Sequence, residues 1–401
     1  MEKVFIVAAK RTAVGKFLGS LSNFTPGELG AIVIRDLIAQ TGIDPKNIDT
    51  VIVGNVLSAG QAQGVARQCS IKAGIPAEVP AYSINMVCGS GMKSVMNGYA
   101  DIVSGAANLV IAGGSECMSN AGFILHSSVR DGVKMGNIHA IDHMVHDGLT
   151  DAFNDYHMGI TAENIATKYS LSREDQDAFS LLSQQKALKS VDAGVFDNEI
   201  VPVEIVKKKE TLVFNRDEFP NRGTTSEKLA MLRTAFKKDG TVTAGNSSGI
   251  NDGASFVVLA SETAVKEYGL KPLAQILAHG QGGVDPSIMG MGPVPAIRMA
   301  LKNAKLKLSD IDLIELNEAF AAQSLGVIKE LIDEHGVTRE WIDQRTNING
   351  GAIALGHPIG ASGNRILVSL IYALKANNKK IGMASLCIGG GMGTAIIIKS
   401  L

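Results

Sequence analysis

Two stretches far apart in the chain read almost alike: Ile48-Asp49-Thr50-Val51-Ile52-Val53-Gly54-Asn55 and Ile311-Asp312-Leu313-Ile314-Glu315-Leu316-Asn317. Each opens on Ile-Asp, runs through strand formers and ends on an asparagine. Each follows a helical pattern and a short polar turn, Gly42 to Asn47 before the first and Lys305 to Asp310 before the second. Further upstream lie two more strand-like runs, Val4 to Ala8 and Gln275 to Ala278. A single matching segment could arise by chance. Agreement of the flanking elements points to two similar α/β halves.

The surrounding pattern supports this division. Pro26 to Gln40 has helical spacing, with Leu29, Ile32, Val33 and Leu37 on one side, and ends before Gly42. Gly89 to Ser104 carries Met92, Val95, Met96, Tyr99 and Val103 as a helix face, and Leu109 to Ala112 follows as a strand. Ile381 to Leu386 and Thr394 to Ile398 read as the closing strands. Continuous apolar strands between helices argue for sheets covered on both faces. The middle differs. From Ser119 to Ser247 charges are denser and the strand–helix rhythm is lost. Helices are expected at Met158 to Lys168 and Arg173 to Ala193, the second opened by Ser172 and Asp175. Lys207-Lys208-Lys209-Glu210 reads as a solvated edge or turn. The expected organisation is an N-terminal half over 1–118, an inserted lobe over 119–248, and a C-terminal half over 271–401.

Composition excludes several function classes. The chain has 401 residues, 45% hydrophobic and 19% charged, the reverse of a disordered sequence. Lys+Arg number 38 against Asp+Glu 39, a net charge of −1, so no strong global field draws the chain to nucleic acid or an anionic membrane. No apolar run approaches the roughly 20 residues that span a bilayer. Met1 to Arg11 is too short for a signal segment's apolar region and reads as a first buried strand. Cysteines stand at 69, 88, 117 and 387, with no C-x-x-C pair and no zinc-like spacing, which suits a reducing, cytoplasmic compartment. The 44 glycines imply tight turns and close backbone approaches.

Three glycine-rich segments could carry chemistry. Cys88 lies in Asn85-Met86-Val87-Cys88-Gly89-Ser90-Gly91, at the start of a helical pattern, where unpaired N–H groups would favour the thiolate. The alternative is a buried structural cysteine. Cys387 opens Cys387-Ile388-Gly389-Gly390-Gly391-Met392-Gly393 directly after a strand, where backbone N–H groups can face a ligand. His357 sits in Leu355-Gly356-His357-Pro358, held on a rigid turn that suits a base better than a core filler. Cys69 and Cys117 lack such settings. His139, His143 and His146, with Asp142 and Asp147, have helical spacing but no metal signature, and read as solvated helix residues. Neither G-x-x-x-x-G-K-[ST] nor G-x-G-x-x-G occurs at these segments, so a nucleotide cofactor has little support. Met86, Met92 and Met96 read as core fillers.

The segments around Cys88, His357 and Cys387 resemble those of the thiolase family in residue type, order and spacing. Asn317-Glu318-Ala319-Phe320-Ala321-Ala322 is similar to the family's asparagine motif, and Tyr156-His157-Met158-Gly159 to the pocket segment of its acetoacetyl-CoA-specific members. The resemblance runs over essentially the whole chain from Arg11-Thr12-Ala13-Val14-Gly15. It implies an α/β fold of duplicated five-layer α/β/α/β/α type with an inserted loop domain over the substrate, after which the first half resumes about 249–270.

The resemblance also implies a reaction: reversible Claisen condensation of two acetyl-CoA to acetoacetyl-CoA and CoA. Cys88 would be the acylated nucleophile, His357 its base, and Cys387 the acid/base at C2 of the second thioester. Asn317 and His357 would stabilise the enolate, and the backbone N–H groups of Cys88 and Gly389 the acyl-enzyme oxyanion. His157, Met158 and Phe320 would line the pocket, and Ser248 would contact CoA. Where family members carry Arg-His before a glycine this chain has Asn221-Arg222-Gly223, and Lys228 replaces a pocket serine, so Arg222 and Lys228 are the basic candidates for CoA phosphates. No metal or redox cofactor is required, and a homo-oligomer, a dimer or tetramer, is expected. The competing readings are a broad-chain degradative 3-ketoacyl-CoA thiolase, a β-ketoacyl-carrier-protein synthase, against which the Cys387 segment argues, and a non-catalytic acyl-CoA-binding protein of the same fold.

Overall fold

The computed structural model describes residues 2–208 and 210–401. Strands β1 (Val4–Thr12), β2 (Thr50–Gly54), β3 (Ala81–Ile84), β4 (Leu109–Cys117) and β5 (Asn251–Ser261) form the sheet of one half. Strands β6 (Ala274–Gly283), β7 (Leu313–Leu316), β8 (Ile381–Ile388) and β9 (Met392–Ser400) form that of the other. The order is β3-β2-β4-β5-β1-β6-β9-β8-β7, and a parallel bridge from Ile314 to Thr346 continues the second half as β3 does the first. From the seam outward, both halves run antiparallel, antiparallel, parallel, parallel. The look-alike stretches of sequence are β2 and β7 with their flanks.

The seam repeats the symmetry in its register. β1 and β6 pair antiparallel, with Val4 opposite Ile276, Phe5 opposite Gln275 and Ile6 opposite Ala274. Read from either strand, this pairing is the same. Each strand also breaks register against its other neighbour at the corresponding place, between Ile6 and Ala8 and between Ile276 and Ala278.

The larger helices are α1 (Pro26–Thr41), α2 (Val65–Lys72), α3 (Ser90–Val103), α4 (Met158–Tyr169), α5 (Arg173–Asp192), α6 (Pro293–Ala304), α7 (Ala321–His335) and α8 (Ile359–Ala376). Strand alternation distributes side chains between the layers. Ile52 and Val257 face an inner core shared with Met92 and Val95 of α3 and Ile366 and Leu370 of α8. Their neighbours Val51, Val53, Phe256 and Val258 face Leu29 and Val33 of α1 and Cys69 of α2. In the second half Ile396 and Ile398 point inward, while Ile397 meets Ile297 of α6 and Val327 of α7. The result is five layers, helix–sheet–helix–sheet–helix. Burial on both faces explains why the strands read as unbroken apolar runs.

One strand extends beyond its sequence reading. The apolar run stops at Ala112, but β4 continues through Gly113-Gly114 to Cys117, fully buried. A Cβ on Gly114 would lie 2.0 Å from the carbonyl oxygen of Gly360, so this glycine marks a close approach of α8 rather than a turn.

The stretch between β4 and β5 carries α4, α5 and three two-stranded ribbons, Phe123–Leu125 with Ala140–Asp142, Thr150–Asp151 with Tyr156–His157, and Val203–Val206 with Thr211–Phe214. The lysine run falls in the last ribbon's turn, and Lys209 lies outside the described residues. The expected cap of α5 forms: Asp175 N–H donates to Ser172 Oγ at 3.0 Å and Ser172 N–H to the Asp175 carboxylate at 3.1 Å. A buried ion cluster ties this stretch to β1. Arg11 Nε meets Glu199 at 2.5 Å and Nη1 meets Asp217 at 2.7 Å. Among the described residues no helix is long and apolar enough to cross a membrane.

Candidate active site

Cys88 stands on a strained turn between β3 and α3. The preceding Val87 has φ 45°, a left-handed value that costs a β-branched residue free energy. Ser90 locks the turn: its Oγ accepts from the Met86 N–H at 2.8 Å and donates to the Val87 carbonyl at 2.7 Å. The position at the start of α3 is as expected. The electrostatics are not. Burial pushes the Cys88 thiol up to about 11, against hydrogen bonding from the backbone of Gly389 and of Cys88 itself. Desolvation of the charged form outweighs these backbone donors, so the resting group is a thiol.

His357 is buried just before α8. Its backbone N–H donates to Asn251 Oδ1 at 2.9 Å, and its Nδ1 lies 2.6 Å from Ser362 Oγ. Ser362 has a single hydroxyl hydrogen, which goes to the Pro358 carbonyl at 2.9 Å. With that hydrogen on the Pro358 carbonyl, the Oγ accepts from Nδ1–H, the tautomer that leaves Nε2 with its lone pair. Burial, with a smaller contribution from the Arg365 guanidinium, holds the imidazole down to about 3, so it is neutral at pH 7.

Cys387 lies near the end of β8, buried. Gly390 and Gly391, at φ 86° and 84°, turn the chain sharply into β9 behind it. Burial raises the pKa of its thiol, and the nearby Cys88 raises it further. Asn317 follows β7, its N–H on the Ser385 carbonyl at 3.0 Å. Among the described residues, neither polar atom of the buried Asn317 side chain, nor His357 Nε2, has a protein hydrogen-bond partner. These are groups set to meet a ligand or water.

The chain segments converge. Ile359, two residues after His357, packs in the cluster that touches Cys88. Cys387 shares another cluster with Met158, Met289 and Phe320. A Cβ at Gly389 would lie 3.4 Å from Val87 Cγ1 and 3.7 Å from Met158 Sδ. His157 caps α4, its Nδ1 accepting from Gly159 N–H at 3.0 Å, and stacks on Phe236 at 4.6 Å; Phe236 in turn meets Phe320 edge-on at 6.2 Å. Ser248 N–H donates to the Ala319 carbonyl at 2.9 Å, beside the asparagine segment. Arg222 and Lys228 make their contacts elsewhere, on the exposed surface. Arg222 is paired through two nitrogens with Asp192, and Lys228 Nζ donates to the Gly223 carbonyl at 2.8 Å.

Several contributors carry no signal in the sequence. Ser362, Asn251 and Phe236 matter only through contacts across the fold. Glu116 accepts from the N–H groups of Val56 (2.9 Å), Leu57 (3.1 Å) and Gly360 (3.0 Å) and from Asn55 Nδ2 (2.9 Å), joining both halves beside the site. Burial pushes its carboxyl up to about 7. Of the histidine group, read as solvated, His143 is buried. His143 Nδ1 meets Asp147 at 2.5 Å and its Nε2 accepts from Ala59 N–H, while exposed His146 meets the same carboxylate. Among the described residues no group of three or more such side chains could hold a metal.

This arrangement, two thiols and an imidazole with a free nitrogen at the junction of two similar halves, can be compared with known proteins. The thiolase N-terminal domain matches residues 4–263 and the thiolase C-terminal domain residues 270–400. An acetyl-CoA acetyltransferase of Pseudomonas aeruginosa is 53% identical over 399 residues, 99% of each chain. The crystal structure of the Bacillus anthracis acetyl-CoA acetyltransferase superposes with a TM-score of 0.95 at 43% identity, covering 100% of this chain and 99% of that one. Human mitochondrial 3-ketoacyl-CoA thiolase superposes with a TM-score of 0.94 at 44% identity, with the same coverage. With both domains matched along nearly its full length, the chain belongs to the thiolase family.

Proposed function

We propose that the protein is an acetyl-CoA C-acetyltransferase, interconverting two acetyl-CoA with acetoacetyl-CoA and CoA. The observation that carries this reading is the meeting of the Cys88 and Cys387 thiols with the Gly389 backbone, close to a buried His357 whose Nε2 has no protein hydrogen-bond partner. His357 Nε2 takes the Cys88 proton as Sγ attacks the thioester carbonyl, and CoA leaves. The backbone N–H groups of Cys88 and Gly389 receive the oxyanion, a contribution of about 3 kcal/mol per preorganised donor. The departing CoA thiolate takes the proton of the Cys387 thiol, and the Cys387 thiolate so formed removes a C2 proton from the second acetyl-CoA, while His357 keeps the Cys88 proton until the Cys88 thiolate is released and takes it back. Asn317 and His357 stabilise the enolate, whose carbon attacks the acetyl group on Cys88.

Restriction to short chains is supported by Met158, whose sulfur stands against Gly389, and by the His157–Phe236–Phe320 stack. CoA would run along the 119–248 stretch past Ser248. To meet its phosphates, Arg222 and Lys228 would exchange Asp192 and the Gly223 carbonyl for them. Exposed Phe123, Leu125, Met135 and Ile138 support a homo-oligomer, which we take as a tetramer. Four free cysteines suit a cytoplasmic setting.

The test is CoA-dependent cleavage of acetoacetyl-CoA beside 3-ketohexanoyl-CoA and a longer 3-ketoacyl-CoA. Turnover of the four-carbon substrate alone is expected. Comparable turnover of all three would move the protein to the broad degradative class. No turnover of any would overturn the roles of Cys88 and Cys387.

A further inference from the structure

Glu318 lies directly after Asn317, buried at 2% exposure. Its Oε2 accepts from Ser183 Oγ of α5 at 2.6 Å and from the Ile353 N–H at 3.3 Å, and its Oε1 accepts from Asn347 Nδ2 at 2.8 Å. Ser183 Oγ itself accepts from the Gly351 N–H at 3.1 Å, so its one hydrogen is available to Glu318. All three partners are donors, an arrangement matched by the acceptor-only carboxylate. Burial raises the pKa of this carboxyl, and the same donors oppose the rise.

The second half of the clamp is Asn347. Its Oδ1 accepts from the Leu316 N–H at 2.9 Å and its Nδ2 donates to the Leu316 carbonyl at 2.7 Å as well as to Glu318. Leu316 and Glu318 flank Asn317, so one amide grips both neighbours of a residue whose own side chain has no protein partner. Gly351 and Ile353 lie on the segment that leads into His357. Ser183 belongs to α5, within the stretch between β4 and β5.

We propose that Glu318 is a positioning residue whose carboxylate ties α5 to the two segments presenting Asn317 and His357, so that the seating of that stretch sets the geometry for enolate stabilisation. This rests on the roles proposed above for Asn317 and His357. Glu318 does not touch the reacting atoms; it acts through its neighbours. A cavity of about 490 Å³ between α5 and α7 has Ser183, Glu318 and Asn347 on its wall, giving a small solute a route to the clamp.

The experiment separates two partial reactions in the full-length enzyme: acetylation of Cys88 by labelled acetyl-CoA, and condensation to acetoacetyl-CoA. Glu318→Gln puts a donor among donors, and Ser183→Ala cuts only the link to α5. Both are expected to lower condensation by about tenfold more than acetylation. In Glu318→Ala, formate entering from the cavity is expected to restore condensation by roughly fivefold or more and to leave the parent enzyme unaffected. Parallel losses of acetylation, condensation and thermal stability, with no rescue by formate, would reduce Glu318 to a packing residue and overturn the inference. So would normal condensation in Glu318→Gln, which leaves the proposed function intact. A parent enzyme that takes no label on Cys88 would overturn the proposed function, and this inference with it.

Discussion

The tautomer of His357 hangs on one hydroxyl, and Ser362→Ala tests it. The substitution deletes the acceptor 2.6 Å from Nδ1. Alanine is a good helix former, and position 362 lies in the first turn of α8, so the helix itself is preserved. Two responses are open to the ring. It can keep Nδ1–H with no partner in a buried site, which costs about 1–3 kcal/mol. Or it can move the hydrogen to Nε2, which removes the lone pair that takes the Cys88 proton. With about 1.4 kcal/mol per tenfold in rate, acetylation of Cys88 should slow roughly ten- to hundredfold. Single-turnover labelling with acetyl-CoA at pH 6 to 9 measures this, and Ser362→Thr, which keeps an Oγ, should recover most of the rate. If Ser362→Ala were acetylated within about twofold of the parent with its fold intact, the assignment of Nε2 as the base would fail.

Three further outcomes follow from the same geometry. Cys88→Ala should take no acetyl label, whereas Cys387→Ala should be labelled on Cys88 yet form no acetoacetyl-CoA; normal condensation by the latter would remove Cys387 from the reaction. Met158→Ala opens space beside Gly389 and should raise cleavage of 3-ketohexanoyl-CoA relative to acetoacetyl-CoA by about tenfold, the scale of a few methylenes in an apolar pocket; an unchanged ratio would take Met158 out of chain-length selection. His357 has a folded pKa of about 3, below its ordinary value near 6.5, so the unfolded chain binds the extra proton between these limits. Its contribution to stability is complete above about pH 6.5 and is lost as pH falls toward 3. The urea midpoint should therefore drop more between pH 7 and pH 4 in the parent than in His357→Asn, and equal drops would contradict the buried neutral imidazole.

What could be read in advance depended on how local the cause was. β2 and β7 stood out because both are covered on both faces, which writes an unbroken apolar run into the sequence. The cap at Ser172 was visible because its partner is three residues away. β4 was cut short because Gly113 and Gly114 carry the mark of a turn, while their actual reason, the approach of Gly360, comes from the far half of the chain. The same limit governs the site. The positions of Cys88, His357 and Cys387 follow from glycine-rich turns at element ends. The direction in which the Cys88 thiol shifts does not, since the burial that sets it is tertiary. Ser362, Asn347 and Glu318 act through bonds that no spacing announces.

The self-reciprocal register at the seam has a consequence for descent. Two like strands meeting antiparallel about Phe5 and Gln275 make the kind of contact that joins identical subunits about a two-fold axis. Covalent linkage of such subunits frees each copy from having to serve both roles. The paired asparagines record that freedom. Asn55, at the end of β2, spends its Nδ2 on the Ser115 carbonyl and on Glu116, the carboxylate that accepts from Gly360 of the other half. Asn317, at the end of β7, is left with both polar atoms unclaimed by protein. An ancestral pair of equal copies would have had to compromise between these uses at one and the same residue; a single chain can assign them separately, and so give a symmetric frame a one-sided chemistry.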